Sequence, residues 1–152
     1  MKQRLARLMK RIPGVAVLIQ SVYRIFMQKH TIGVVGVVLN AEGKVLLVEH
    51  VFHPKHPWGL PGGWMERGET PAFGLAREIR EETGIVVEVE RPLLIEKGFL
   101  PGHLDIVYLC DAKNDVQALS PELLDYRWVA LDSLPSLSRI HRAAIAELQL
   151  SK

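Results

Sequence analysis

Residues 63–85 read GWMERGETPAFGLAREIREETGI and carry the signals of one well-defined helix. Thr70 is a residue type that caps helix N-termini, and Pro71 suits the first turn. Gly84 can take the left-handed conformation that ends a helix. The stretch therefore predicts a helix from about Pro71 to Thr83.

Two faces of this helix differ in character. Four residues at helical spacing predict the face that packs on the rest of the protein: Ala72, Ala76, Ile79 and Thr83. Glu78, Glu81 and Glu82 form a second stripe, because residues three and four apart are neighbours on a helix. Like charges at this spacing cost about 0.2–0.5 kcal/mol, and the last turn of a helix also disfavours anions. A bound Mg²⁺ or Mn²⁺ ion would remove this conflict. The alternative is a solvated acidic face that Arg77 and Arg80 soften.

The segments around this helix predict mainly strands. Residues 31–40 (TIGVVGVVLN) are rich in β-branched side chains, and residues 44–50 (KVLLVEH) are predicted to return as their hairpin partner. Further strands are predicted at IVVEVE (85–90), PLLIEKGFL (92–100), HLDIVYLCDA (103–112) and DYRWVAL (125–131), with a closing helix at 137–150. Strands with one central and one terminal helix predict an α/β or α+β sandwich.

The composition is that of a globular protein. The chain has 152 residues, of which 48% are hydrophobic and 24% charged, so it can bury an ordinary core. No apolar stretch reaches the roughly 18–20 residues of a membrane span. The single cysteine, Cys110, excludes an internal disulfide framework, and its apolar surroundings predict a core position rather than a nucleophile. A reducing location such as the cytoplasm fits this cysteine content.

The charge is divided unequally along the chain. Residues 1–30 hold seven basic residues and no acidic one, whereas residues 31–152 hold twelve basic and seventeen acidic ones. We therefore predict a basic amphipathic helical segment followed by an acidic domain. The segment suits weak contact with a membrane surface or a partner, while an ordinary helix packed on its own domain is the alternative. An acidic domain argues against nucleic-acid binding.

The helix and its flanks resemble a known signature. The fixed positions are Gly63, Glu69, Arg77-Glu78-Ile79, Glu81-Glu82 and Gly84-Ile85, with five, seven, one and one residues between them. Every one of them matches the box of the Nudix hydrolase family, and the resemblance extends over residues from about 31 to 150. It implies a Nudix-type α/β/α sandwich with a mixed central sheet, formed by residues 31–152.

The resemblance also implies a reaction and roles for individual residues. The reaction would be metal-dependent hydrolysis of the pyrophosphate bond of a nucleoside diphosphate linked to another moiety. The implied metal ligands, for Mg²⁺ or Mn²⁺, are the carbonyl of Gly62 and the carboxylates of Glu78, Glu81 and Glu82. One of these glutamates would also orient or deprotonate the attacking water. Glu69 and Arg77 would orient the carboxylates, and Gly63 and Gly84 would serve the backbone geometry.

The substrate is less well specified. Pro101 lies sixteen positions after Ile85, an offset that resembles the ADP-ribose pyrophosphatase subgroup. We therefore favour ADP-ribose or a nucleotide sugar. The alternatives are a nucleoside triphosphate pyrophosphatase that clears damaged nucleotides and a non-catalytic sensor that binds a nucleotide. A homodimer is compatible with the sequence.

Several other residues are candidates for the site. Some family members carry a further acid before the tryptophan of the last strand, but here Arg127 precedes Trp128, so Asp125, Glu122 and Asp105 are substitutes. Candidates for substrate contact are Trp58 and Phe99 by stacking, together with His53 and Asp105. The spacing of His50, His53 and His56 admits a phosphate or base contact, a structural metal site, or solvated loop residues.

Overall fold

The computed structural model describes residues 17, 30–52, 56–98 and 100–150. The predictions for residues 1–29, other than Val17, and for His53 and Phe99 therefore lie outside the described residues. Within the described part, no helix is long and apolar enough to cross a membrane.

Seven strands and two helices make up this part of the chain. In chain order they are β1 (Thr31–Leu39), β2 (Val45–His50), β3 (Trp58–Gly59), β4 (Gly62–Trp64), α1 (Pro71–Thr83), β5 (Val87–Lys97), β6 (His103–Ala112), β7 (Leu123–Val129) and α2 (Arg139–Leu150). The two short strands β3 and β4 lie in a segment for which the sequence predicts no strand. Both contain glycine and are too short to show an alternating pattern.

The strands form one mixed sheet. Its order is β3-β2-β1-β6-β5, with β4 paired to β1 and β7 paired to β2. β1 and β6 run parallel from the pair Thr31–His103 to the pair Leu39–Asp111, and every other pairing is antiparallel. The predicted mixed central sheet is confirmed.

The strand pairing differs from the prediction in two places. The hairpin of β1 and β2 is only one residue pair wide, Leu39 with Val45, because β4 pairs with the same edge of β1 and β3 pairs with the same edge of β2. The two segments predicted around Pro92 form the single strand β5, whose register shifts beside Pro92. β5 lies at the edge of the sheet, where a proline without an N–H group is tolerated.

The core has two layers, one on each face of the sheet. Val34 and Val38 of β1 pack in one cluster with Leu75 and Ile79 of α1, whereas Val37 packs in the other cluster with residues of α2. The alternation along β1 sends successive side chains to opposite faces. The predicted α/β/α sandwich is therefore confirmed.

Cys110 of β6 belongs to the cluster on the α1 side. Its side chain is fully buried, and this burial raises the pKa of the thiol to about 12. A thiol with so high a pKa is protonated and unreactive at neutral pH. The prediction of a core cysteine is confirmed.

The ends of α1 are those that the sequence predicts. The backbone N–H of Phe73 donates to the Thr70 hydroxyl over 3.4 Å. Gly84 has φ of 73°, and its N–H donates to the carbonyl of Arg80. The predicted bounds and both caps of α1 are thus confirmed.

The buried face of α1 is rotated relative to the prediction. Its buried residues are Gly74, Leu75, Ile79, Glu82 and Thr83. Ala72 and Ala76 are only half-buried, because the larger Leu75 takes the central position against the sheet. This rotation brings Glu82, which lies seven residues after Leu75, into the protein interior.

Candidate functional site

The backbone of Gly62 and Gly63 lies close to both β1 and α1. A Cβ atom on Gly62 would overlap the carbonyl oxygen of Val34, and its φ of 149° disfavours any other residue. A Cβ atom on Gly63 would lie 2.5 Å from the carboxylate of Glu78. The two glycines therefore allow α1 to place its carboxylates directly against a strand.

Arg77 holds the acidic residues around it in fixed positions. Its Nε and Nη2 donate to the two carboxylate oxygens of Glu69 over 2.8 and 3.0 Å. Nη1 donates to Glu78 over 3.0 Å and to Glu81 over 3.1 Å, and Nη2 also donates to the carbonyl of Trp64. This planar fork neutralises part of the acidic stripe without a metal ion.

Glu69 is held by more hydrogen bonds than the other acids that contact the Arg77 guanidinium. Its Oε2 also accepts the backbone N–H of Glu66 over 2.9 Å, and a Cβ atom on Gly74 would lie 2.9 Å from the same oxygen. The hydrogen bond from Arg77 lowers the pKa of Glu69, and the reverse interaction raises the pKa of Arg77. Glu69 and Arg77 are therefore charged and oriented together, as a positioning pair must be.

Glu82 differs from the other acids on the stripe. It is 8% exposed, it makes no contact with Arg77, and its Oε2 accepts the backbone N–H of Gly62 over 3.0 Å. Burial raises the pKa of Glu82 to about 8, although the hydrogen bond from Gly62 lowers it in part, and repulsion from Glu78 and Glu122 adds to the increase. A buried carboxylate without a cationic partner is unfavourable in its charged form.

The chemistry of the acids fits a hard divalent cation, but the side chains are not arranged around one. Burial raises the pKa of Glu78 as well, and only Arg77 opposes this increase. Among the described residues, no three acidic, histidine or cysteine side chains converge on one point as a metal site. The Nη1 atom of Arg77 lies between Glu78 and Glu81, and Glu81 is 62% exposed. The sequence predicts that the three glutamates repel one another unless a cation is bound. Arg77 reduces this repulsion at Glu78 and Glu81, but not at Glu82.

A cavity of about 790 Å³ opens at the two glycines that Glu78 and Glu82 contact, and none of the four acids lines it. Gly62 and Gly63 form part of its wall, and the residues at the start of α2 form another part. Of the residues predicted to contact substrate, Trp58 and Asp105 line this cavity, as do His50 and His56.

Trp58 is contacted on one side by Arg127, the residue that precedes Trp128 in the last strand. The guanidinium carbon of Arg127 lies 4.2 Å from the centre of the Trp58 ring, within the range of a cation–π contact. Arg127 thus supports a wall of the cavity.

The three substitutes for the further acid lie in different places. Asp125 is exposed on β7 and accepts the N–H of Tyr126, while Asp105 lies in the cavity. Glu122 is close enough to Glu82 to raise its pKa. Of the three, Glu122 therefore has the clearest electrostatic link to the acidic stripe.

Sequence reasoning missed much of the cavity wall. The additional lining residues with polar or aromatic side chains are Phe52, Trp64, Lys97, His103, Ser138, Arg139 and His141. They come from four separate elements and their neighbouring loops, so no local spacing connects them. The only local signal is the alternation of His103 and Asp105, which predicts that both lie on one face of β6.

Comparison with known proteins shows which sequences and folds this chain is similar to. The family model described as NUDIX domain matches residues 29–148. A MutT-like protein of Streptomyces ambofaciens is 35% identical over 105 residues, which cover 69% of this chain and 67% of that protein. The ADP-ribose pyrophosphatase of Methanocaldococcus jannaschii is 29% identical over 132 residues, which cover 82% of this chain and 76% of that protein.

The solved structures agree with this picture. The crystal structure of a MutT NUDIX hydrolase from Burkholderia pseudomallei superposes with a TM-score of 0.70 at 26% identity, covering 80% of this chain and 99% of that one. Several other curated relatives are longer, and the chain spans only 40% of their length.

Proposed function

Because the chain belongs to the Nudix hydrolase family, whose members are pyrophosphohydrolases, we propose that it hydrolyses the pyrophosphate bond of a nucleoside diphosphate linked to another moiety. The observation that carries the proposal is the acidic stripe of α1 lying against Gly62 and Gly63 at the wall of a large cavity. The pyrophosphate would lie at these glycines, and the remainder of the substrate would occupy the cavity.

ADP-ribose or a nucleotide sugar is the substrate that we favour. Support comes from the 29% identity to an ADP-ribose pyrophosphatase over 82% of this chain and from the position of Pro101. The cavity volume of about 790 Å³ falls in the usual range for small-molecule sites, and Trp58 and Trp64 offer aromatic surfaces.

Nudix enzymes generally use divalent metals, and we propose Mg²⁺ or Mn²⁺ as the cofactor here. The ligands would be the carbonyl of Gly62 and the carboxylates of Glu78, Glu81 and Glu82. Such an ion supplies charge neutralisation for the pyrophosphate and a more acidic bound water. The support in this chain is that Glu78 and Glu82 have raised pKa values and lack a full set of cationic partners.

The residues of the chain have separable tasks in this proposal. Glu82 is the proposed acceptor of the proton from the attacking water, because it is buried beside Gly62 and a bound divalent cation would offset the burial that raises its pKa and would leave it ionised. The water oxygen bonds to phosphorus as the bridging P–O bond breaks, and the leaving phosphate takes the electron pair. Arg77, fixed by Glu69, orients Glu78 and Glu81 beside it.

The test is a substrate panel with product identification in the presence of Mg²⁺ or Mn²⁺. ADP-ribose should give AMP and ribose 5-phosphate, and a nucleotide sugar should give a nucleoside monophosphate and a sugar phosphate. Release of inorganic pyrophosphate from nucleoside triphosphates, without cleavage of the diphosphates, would instead support a nucleotide-clearing pyrophosphatase. If no compound is cleaved, the enzymatic function is overturned and the protein is a non-catalytic sensor that binds a nucleotide.

The remaining proposals concern surroundings and partners. We propose a reducing, cytoplasmic location because Cys110 is a free, buried cysteine. We also propose that residues 1–30 make a weak contact with an anionic membrane surface or a partner, and that the domain can form a homodimer. The full chain should sediment with anionic vesicles, and a chain without residues 1–30 should stay in the supernatant. Analytical ultracentrifugation measures the oligomeric state.

A further inference from the structure

Three side chains form a hydrogen-bonded chain at one end of the cavity, outside the acidic stripe. The Thr31 hydroxyl lies 2.8 Å from Nδ1 of His103, and Nε2 of His103 lies 2.9 Å from Oδ1 of Asp105. His103 is 4% exposed, and its ring centre lies 4.6 Å from that of Trp64. The arrangement therefore fixes the orientation of the Asp105 side chain.

Two glycines leave the space that this chain occupies. Gly33 pairs with Asp105 across β1 and β6, and a Cβ atom there would overlap Oδ1 of Asp105. A Cβ atom on Gly98 would overlap the ring of His103 and would lie 2.8 Å from Oδ2 of Asp105. Without these Cβ atoms, the imidazole and the carboxylate fit together and Oδ2 stays uncovered.

The hydrogen bonds leave one acceptor directed at the cavity. With its proton on Nε2, His103 donates to Oδ1 of Asp105 and accepts at Nδ1 from the Thr31 hydroxyl. No described residue donates to Oδ2 of Asp105, although the side chain is only 16% exposed and lines the cavity. A largely buried carboxylate oxygen without a donor is unfavourable, and a ligand donor would satisfy it.

The charges nearby indicate which part of a substrate suits this position. Glu96 of β5 lies opposite Asp105, and Arg139 contacts Glu96 over 2.6 Å. Lys97 lines the cavity but makes no ion pair with Asp105 in the described part of the chain. The carboxylate oxygen Oδ2 itself repels a phosphate placed against it, whereas it attracts the donor of a hydroxyl or amino group.

We propose that Asp105, positioned by His103 and Thr31, determines substrate specificity by accepting hydrogen bonds from the nucleoside part of the substrate through Oδ2. The donors are either the hydroxyls of the ribose or the amino group of the base. This inference rests on the proposed function only for the presence of a nucleotide in the cavity. It places the nucleoside at the Asp105 end and the pyrophosphate at Gly62 and Gly63.

The experiment compares the unmutated protein with Asp105→Asn, which keeps the shape of the side chain but can present an amide donor to the cavity. Calorimetry without metal measures the binding of AMP, GMP, their 2′-deoxy and 3′-deoxy counterparts and purine riboside 5′-monophosphate. Asp132→Asn makes the same change at an exposed position and is the matched control. Asp105→Asn should weaken AMP or GMP binding roughly 10- to 100-fold, while Asp132→Asn should leave it unchanged.

The analogues identify the group that Asp105 binds. The effect of Asp105→Asn should disappear for the ligand that lacks the recognised donor, which is a deoxynucleotide for the ribose and purine riboside 5′-monophosphate for the base. Equal weakening of every ligand, or no weakening of any, would overturn the inference. In the steady state KM should rise roughly as binding weakens, with kcat nearly unchanged.

Failure of this inference can be told apart from failure of the proposed function. Asp105-dependent binding without hydrolysis of any pyrophosphate would overturn the function and support the specificity role. Hydrolysis with unchanged KM in Asp105→Asn would do the reverse. As a second variant, His103→Gln can still donate to Asp105 and should bind AMP or GMP more tightly than His103→Leu, which a purely structural role for His103 does not predict.

Discussion

The two ends of the candidate site use carboxylates in opposite ways. On the α1 side, the positive charge of Arg77 organises Glu69, Glu78 and Glu81, and Glu82 remains buried without a cation. On the α2 side, an imidazole positions the single carboxylate of Asp105 by hydrogen bonding. The first set belongs to α1 and the loop before it, whereas Asp105 belongs to β6.

This difference teaches how one chain can serve two parts of a substrate. Acids that are crowded and incompletely compensated attract cations, and through cations they attract phosphate. A single acid whose one oxygen is occupied offers a directional acceptor instead. Charge thus dominates at the first end and geometry at the second, and variants at the two ends should fail in different ways.

The largest expected effect is on catalysis at the charged end. Glu82→Gln should lower kcat roughly 10²- to 10⁴-fold, because it removes the proposed proton acceptor and metal ligand while keeping the side-chain shape. Product formation from ADP-ribose measures this loss, and circular dichroism checks the fold. A variant that keeps more than about half of the activity would show that Glu82 takes no part in the reaction.

The second largest effect is expected for Arg77, whose guanidinium holds the acids on the α1 side in place. Arg77→Ala leaves Glu69 and Glu78 without their main cation and should reduce the free energy of unfolding. Arg77→Lys keeps the charge but loses the paired hydrogen bonds, so it should recover only part of this loss. Urea unfolding measures both. Equal stability of Arg77→Ala and the unmutated protein would contradict the electrostatic description.

The free energy of unfolding of the metal-free protein should depend on pH because of Glu82. Its pKa is about 8 in the folded state, so the folded carboxyl stays protonated where the unfolded one is ionised. The resulting stability is complete below the unfolded pKa and is lost as the pH rises through about 8. Between about pH 6 and pH 8.5 the free energy of unfolding should therefore fall by roughly 2–3 kcal/mol. Thermal and urea unfolding measure it.

The control for that experiment is Glu82→Gln, which should make the pH profile nearly flat in this range. Added Mg²⁺ should restore stability at the higher pH if the ion binds the charged form. A profile of the unmutated protein that rises with pH would contradict the buried, protonated state of Glu82.

The smallest expected effect lies at the cavity end. Thr31→Val removes the hydroxyl that contacts His103 and should reduce the free energy of unfolding by about 0.5–1 kcal/mol, because the threonine itself is exposed. KM should rise slightly and kcat should not change. A fall in kcat comparable to that of Glu82→Gln would show that the two ends are not independent.

The elements that the sequence predicts well are those with strong local signals. Thr70, Pro71 and Gly84 determine the ends of α1, and the β-branched run from Thr31 determines β1. The acids of the box could also be predicted, since their spacing alone places them on one side of a helix. The rotation of α1 could not, because it depends on the volume of Leu75 against the sheet.

The features that the sequence does not predict depend on distant parts of the chain. Thr31 and His103 meet only because β1 and β6 are parallel, and their separation leaves no periodic signal. The hydrogen bond that Arg77 donates to Glu81 depends on the rotamers of both side chains. The strand β4 consists of three residues whose pairing with β1 follows from the tertiary structure.

The parallel pairing of β1 with β6 also has a consequence for biosynthesis. β1 ends at Leu39 and β6 begins only at His103, so the ribosome must release all residues between them before the central strand meets its longest neighbour. Such non-local contacts make folding slow and delay it until β6 has been synthesised. A nascent chain that stops short of β6 would therefore expose the apolar side chains of β1 to chaperones and proteases.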